Sequence, residues 1–246
     1  MISRVSTLLW REVESLFFSP LAYIVLTVFL VLNGFSFYYA LSASHGVVDD
    51  TVRIFLGEGP LFWVCLVMVP PLVTMRLVAE ERRSGTLEVL LTAPVRDGEV
   101  VAAKFLGALV FQAFLWAPTL LYVFIIRGYG AVPEAGQLVT SYLGIACATA
   151  LLTAVGLLFS TRTTNQIVAA VGSITLNLLL VLLPLVVTLV PGAPLGRALG
   201  GISMVGHFGA SFGRGLVDSG HLVWYLAATL GLLVMATRSL EARRWR

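Results

Sequence analysis

Charge is what this sequence has least of. Lysine, arginine, aspartate and glutamate together make up 12% of its 246 residues, where a soluble domain carries about 25%. The few charges cluster between long uncharged stretches, the pattern of segments whose solvent is lipid. Lysine is reduced to Lys104, followed by Phe105, so a G-x-x-x-x-G-K-[ST] phosphate loop cannot occur and the chain does not hydrolyse ATP by that route. The three histidines, His45, His207 and His221, stand apart in sequence, and no H-E-x-x-H is present. Glu80-Glu81 opens the E-E-x-x-x-R pattern of intramembrane proteases, but the sixth position is Gly85. Cys65 and Cys147 both fall in apolar runs and read as buried thiols rather than a disulfide or metal ligands. These absences argue against an enzyme and against a metal or cofactor held by this chain. Ionisable residues are nearly missing from the apolar runs as well, which argues against a proton relay or a charged ion pathway.

What is present is hydrophobic length. Six apolar runs, at 20–41, 60–79, 105–126, 138–160, 166–190 and 221–237, each approach the ~20 residues a helix needs to cross the hydrocarbon. The fold class expected is an all-α integral membrane protein with six transmembrane helices, forming a single membrane domain over 1–246. Ahead of the first run, Ile2, Val5, Leu9, Val13, Leu16 and Phe17 recur at helical spacing, so 2–18 reads as an amphipathic helix along the inner interface. That region is long and contains Glu12 and Glu14, and the first run exceeds a signal-peptide core, so it reads as a retained anchor. With the N-terminus inside, twelve of the sixteen basic residues are cytoplasmic and only Arg53, Arg127, Arg197 and Arg214 lie outside. This bias predicts that both termini lie in the cytoplasm. The net charge of +3 belongs to the same bias and requires no nucleic-acid partner.

Within the runs, Ala146, Ala150 and Ala154 share one helix face and predict close helix packing, inside this subunit or against a second. Asn33, Gln112 and Asn177 read as interhelical hydrogen-bonding groups. Pro70, Pro71 and Pro118 interrupt backbone hydrogen bonding and read as bend points or static kinks. Phe35, Phe37, Tyr38 and Tyr39 near the outer end of the first run read as interfacial aromatics or the lining of an exit. Between the second and third runs, 80–104 is polar and cytoplasmic. Leu87, Leu90 and Leu91 form a short apolar face with Glu88 on another side, Pro94 ends that helix, and Asp97 is placed to cap the next, with Glu99 in its first turn. Such a helix either rests on the membrane or docks on a cytoplasmic partner.

The run AEERRSGTLEVLLTAPV followed by EVVAAKFLGAL closely resembles the signature of ABC-2 type export permeases. The stretch SMVGHFGASFGRGLVDSGHLVWYL is similar to the last extracytoplasmic loop and sixth span of the gliding-motility-type branch of that family. The resemblance implies that Glu80, Glu81, Arg82, Arg83, Ser84, Gly85, Thr86, Leu87, Glu88, Leu90, Leu91 and Pro94 form a cytoplasmic coupling helix seated in a groove of an ATPase subunit. It makes 2–18 the interfacial elbow helix. It implies short extracytoplasmic re-entrant helices between spans five and six, where His207, Phe208, Phe212, Gly215 and Asp218 match the branch pattern. The Gly-rich composition there implies that those helices are short or irregular. The partners implied are two copies of an ABC ATPase, which bind the ATP and Mg, and a second permease, either identical or a distinct one with a large extracytoplasmic domain. Membrane lipid surrounds the whole. The function implied is export, and the scarcity of charge in the apolar runs fits an amphiphilic substrate better than a small ion. The alternatives are a non-transporting ABC complex that drives an extracytoplasmic partner mechanically and, third, a stand-alone channel or secondary carrier.

Overall fold

The computed structural model describes residues 2–83, 85, 96–189 and 201–244. Among these, helix is the only regular structure and there is no strand. A backbone without water must satisfy its own N–H and C=O groups, and a helix does so within one segment. Six helical runs are long and apolar enough to cross a membrane: Pro20–Ala43, Val48–Arg83, Asp97–Gly128, Ala135–Arg162, Gln166–Leu183 and Ser219–Ala242. The chain is an all-α, multi-pass membrane protein.

Helix α1 (Ile2–Phe17) turns Leu8, Leu16 and Phe17 to the core and leaves Trp10 outside. Phe17 meets Phe111 and Phe114 edge-on, at 5.2 and 5.0 Å between ring centroids. The chain turns sharply at Ser19, which is extended, and Pro20 then opens α2 (Pro20–Ala43) with its φ already helical.

Asp49, Asp50, Arg53 and Glu58 between the first two apolar runs suggest a polar loop, but that stretch is helical. Helix α3 (Val48–Arg53) runs into a π-turn, Ile54–Glu58. The charges that suggest a loop lie on one face, where Arg53 bridges Asp50 at 2.9 Å and Glu58 at 3.2 Å. Val52, Phe55 and Leu56 are buried on the other. The π-turn closes with the Gly59 N–H donating to the Ile54 carbonyl at 2.7 Å. A Cβ on residue 59 would lie 2.6 Å from that oxygen, so the closure requires glycine.

Helix α4 (Pro60–Thr74) contains Pro70 and Pro71, whose missing N–H groups leave the carbonyls of residues 66 and 67 without their intrahelical donors. The Asn177 amide, from the fifth span, reaches the Val67 carbonyl at 3.5 Å, the interhelical role its residue type suggests. A turn at 75–78 leads to α5 (Ala79–Arg83). The third crossing is α6 (Asp97–Trp116), a 3₁₀ turn at Ala117–Thr119 that holds Pro118, and α7 (Leu120–Gly128).

Helix α8 (Ala135–Arg162) is the hub. It packs on α4, α6, α9 (Gln166–Leu189) and α11 (Ser219–Arg244), and is buried almost continuously from Leu151 to Thr161. Gln112 donates to Thr153 at 2.6 Å, joining the third and fourth spans inside the bundle. Between α9 and α11 lie a short helix α10 (Met204–Ala210) and a 3₁₀ turn, Phe212–Arg214. The bundle therefore has two distinct ends. One gathers α1, α5, the starts of α2 and α6 and the end of α11, whose Thr237 lies beside Gly98. The other gathers α3, the π-turn, α10 and the 3₁₀ turn.

Candidate functional site

At the terminal end, the segment that leaves α4 is tied to its surroundings at three points. The first is Ser160, near the end of α8. Its hydroxyl accepts from the backbone N–H of Val78 at 3.2 Å and of Ala79 at 3.1 Å, and donates to the Met75 carbonyl at 3.3 Å. Helix α5 begins in a buried turn whose first N–H groups have no intrahelical acceptor, and one serine from another span supplies it. The second is Arg76. Its guanidinium grips Glu80 through Nε at 2.8 Å and Nη2 at 3.3 Å, and donates from Nη1 to the Ser19 hydroxyl at 2.6 Å. The joint between α1 and α2 is thereby pinned to the end of α4.

The third is Lys104 on α6. Its side chain is 1% exposed, with Nζ 3.1 Å from Glu12 Oε1 on α1 and 2.8 Å from Glu81 Oε2 on α5. Arg11 extends the cluster, 3.0 Å from Glu12 and 3.7 Å from Glu81. Two cations face two carboxylates, so the group is neutral as a unit. A buried ammonium is tolerated only where its donors find partners, and removing one member strands the others. The close seating of α1 makes the geometry possible. A Cβ on residue 107 would lie 3.0 Å from the Glu12 Cβ, so Gly107 lets the two helices approach.

Of the residues assigned to ATPase coupling, Glu80, Glu81, Arg82 and Arg83 form α5, and Gly85 follows with a left-handed φ of 74°. Ser84, Thr86, Leu87, Glu88, Leu90, Leu91 and Pro94 lie outside the described residues. The start of the next helix differs from the sequence reading: Arg96, not Asp97, occupies the cap, and the Glu99 carboxylate accepts from the Arg96 N–H at 3.0 Å. Asp97 instead falls in the first turn, where a carboxylate faces the positive end of the helix. Lys104, Glu12, Arg76 and Ser160 carry the site and were not singled out from sequence. The one signal available was a lone lysine at the lip of an apolar run.

At the opposite end, the residues assigned to the re-entrant region are brought together. Phe208 and Phe212 are fully buried, and Phe208 packs on Phe62 and Trp63 at 5.4 and 5.3 Å. The Phe212 carbonyl accepts from Thr140 at 2.8 Å, and Gln137 donates to the Gly213 carbonyl at 3.0 Å. Gly215 takes a left-handed φ of 78°. The Asp218 carboxylate accepts from the Gly220 N–H at 2.7 Å. His207 is buried and stacks on His221 with ring centroids 4.0 Å apart. Its Nε2 lies 3.2 Å from the Gly201 carbonyl, which fixes the proton there, and burial and then His221 hold its pKa below the usual histidine value. His221 Nδ1 bonds Ser211 at 2.9 Å.

Ala154 is buried, Ala150 half-buried, and Ala146 faces out beside a groove lined by Leu109, Ala113, Trp116 and Tyr142. Phe37 is buried and stacks on Tyr122 at 4.5 Å, while Phe35, Tyr38 and Tyr39 face outward.

No curated protein matches the chain. The sequence profile of the ABC-2 family transporter proteins matches residues 45–205, about two thirds of the chain, from the loop after the first span to the start of α10. With six apolar crossings, the chain belongs to the ABC-2 family of transporter proteins, membrane subunits that work with an ABC ATPase.

Proposed function

We propose that this chain is the permease subunit of an ATP-binding cassette exporter and that 80–104 is its coupling segment, receiving the stroke of a separate ATPase dimer. The observation that supports this best is the triple attachment at the root of the segment. A force applied to α5 meets Lys104 on α6, Ser160 on α8 and, through Arg76, the α1–α2 joint. Four of the six spans therefore share one point of leverage. Both termini and this end of the bundle face the cytoplasm of a bacterial inner membrane, in keeping with the arginine distribution. The ATPase subunits, two per complex, bind the ATP and Mg.

A second permease, identical or distinct, completes the complex. Inside this protomer, Gln112 bonds Thr153 across two spans and Asn33 bonds the Phe29 carbonyl of its own helix. The scarcity of intramembrane charge favours an amphiphilic cargo. The gliding-motility-type resemblance at 203–226 keeps a second reading in play, in which the same stroke drives an extracytoplasmic partner and nothing crosses. Arg83→Glu with Leu87→Asp tests the coupling assignment. Loss of ATPase co-purification, with the permease still membrane-inserted, is the expected result, and undiminished co-purification overturns it. Transport into reconstituted vesicles separates export from mechanical transmission.

A further inference from the structure

Behind α1 at the terminal end lies a half-open cavity of about 220 Å³ between α1, α2, α4, α5 and α6. Its wall is divided. One side is hydrocarbon: Leu16, Ala22, Val25, Leu72, Val73 and Phe111. The other carries the Ser15 and Ser19 hydroxyls and the Arg76–Glu80 ion pair. Glu12 and Glu81 also border it, but Lys104 and Arg11 already neutralise them. Arg76 and Glu80 are instead partly exposed, with side-chain exposures of 32% and 45%. The cavity sits where α2 enters the apolar region and α4 leaves it, so the wall changes from polar to apolar at the level of a membrane surface.

We propose that this cavity binds the head and upper chain of one membrane phospholipid bearing a primary ammonium, a phosphoethanolamine lipid. The charge pattern selects it. The guanidinium and the two hydroxyls suit a phosphate, while the Glu80 carboxylate suits an ammonium that still has hydrogens to donate. A trimethylammonium head has none, and a glycerol head brings no positive charge to Glu80. An apolar cavity of about 150 Å³ takes up a benzene-sized guest, so this one admits the first part of an acyl chain and leaves the rest in the bilayer. The Arg76–Glu80 pair opens to accept the head, exchanging one ion pair for two. The binding stands whether or not 80–104 meets an ATPase.

The test uses the full chain in phosphatidylcholine vesicles doped with photoactivatable phosphatidylethanolamine or phosphatidylglycerol, with cross-links mapped by mass spectrometry. The ethanolamine probe is expected to label cavity residues of α1 and α4. Excess unlabelled phosphatidylethanolamine competes that labelling and phosphatidylcholine does not, whereas labelling of the outward-facing Val168 and Val171 on α9 is insensitive to either. Glu80→Gln lowers cavity labelling about ten-fold, the loss of one charge-assisted bond. Ala22→Phe fills the floor and removes the labelling while that on α9 persists. Equal, uncompeted labelling at both places overturns the proposal in favour of ordinary annular lipid. A preference for the glycerol head overturns the ammonium assignment.

Discussion

The Lys104 ammonium lies 2.8 Å from Glu81 and 3.1 Å from Glu12, so a single buried cation joins the third span to both the N-terminal helix and the segment that follows the second span. Lys104→Met keeps the volume and removes the charge. It leaves two carboxylates facing each other with Arg11, itself half exposed, as their remaining partner in the cluster. Breaking a buried pair from one side costs roughly 3–5 kcal/mol, and thermal unfolding in detergent should show a loss of that order. Adding Glu12→Gln and Glu81→Gln to Lys104→Met should restore most of it, because the stranded charges are then gone. Additive losses in that cycle would mean that the three side chains do not act as one unit.

Ser160→Ala removes the acceptor shared by the Val78 and Ala79 amides. Both donors sit in a buried turn, so the change should cost about 1–3 kcal/mol for groups left unsatisfied. Hydrogen exchange gives a sharper readout than global stability. The amides of Val78 and Ala79 should lose protection, while those of mid-α8 keep theirs. Unchanged exchange at both positions would show that the bonds contribute nothing to holding α5.

Gly156 on α8 lies directly against Thr74 at the end of α4, and a Cβ at 156 would overlap the Thr74 hydroxyl. Thr74 is fully buried and bonded to the Pro70 carbonyl at 2.8 Å, so it has no room to yield. Gly156→Ala should therefore destabilise by about 1–3 kcal/mol through overpacking. Thr74→Ala removes the obstructing hydroxyl, and the double variant should recover part of the loss. Thermal unfolding of the two singles and the double decides this.

The architecture was legible because lipid makes a simple demand: long uncharged runs must be helices, and six such runs appear. The region after the first span was misread because Asp49, Asp50, Arg53 and Glu58 suggest a loop, whereas Val52, Phe55 and Leu56 bury the opposite face of a continuous helix. Charge count alone does not reveal that the charges share one side. The site was half legible. Glu80 and Glu81 stand out by local density, but their partners are far away in sequence. Ser160 is 82 residues from Val78, and Lys104 is 92 from Glu12. Each is a single polar residue at the edge of an apolar run, where a lysine is equally consistent with a snorkelling side chain and a serine with a bond to its own helix. Only the packing of α1 over Gly107 and of α8 against α4 turns these residues into one cluster.

His207 provides a handle of a different kind at the opposite end. The groups facing it are the stacked ring of His221, the edges of Trp224 and Tyr225, the Gly201 carbonyl and, more distantly, Asp218. Burial is the largest influence and His221 the second, and both disfavour the imidazolium; the Gly201 carbonyl and Asp218 oppose them without prevailing. The folded-state pKa is therefore below the unfolded value of about 6.5. As pH falls through that value the unfolded chain takes up a proton that the folded chain refuses, so stability falls with acidification and continues to fall until the folded pKa is reached. The slope for one proton is at most about 1.4 kcal/mol per pH unit. Thermal unfolding compared at neutral and mildly acidic pH should show this loss. His207→Gln retains a donor for Gly201 but cannot titrate, so its stability at neutral pH should fall modestly while the acid-dependent part shrinks. If that variant and the parent lose stability equally on acidification, the sensitivity does not arise at His207.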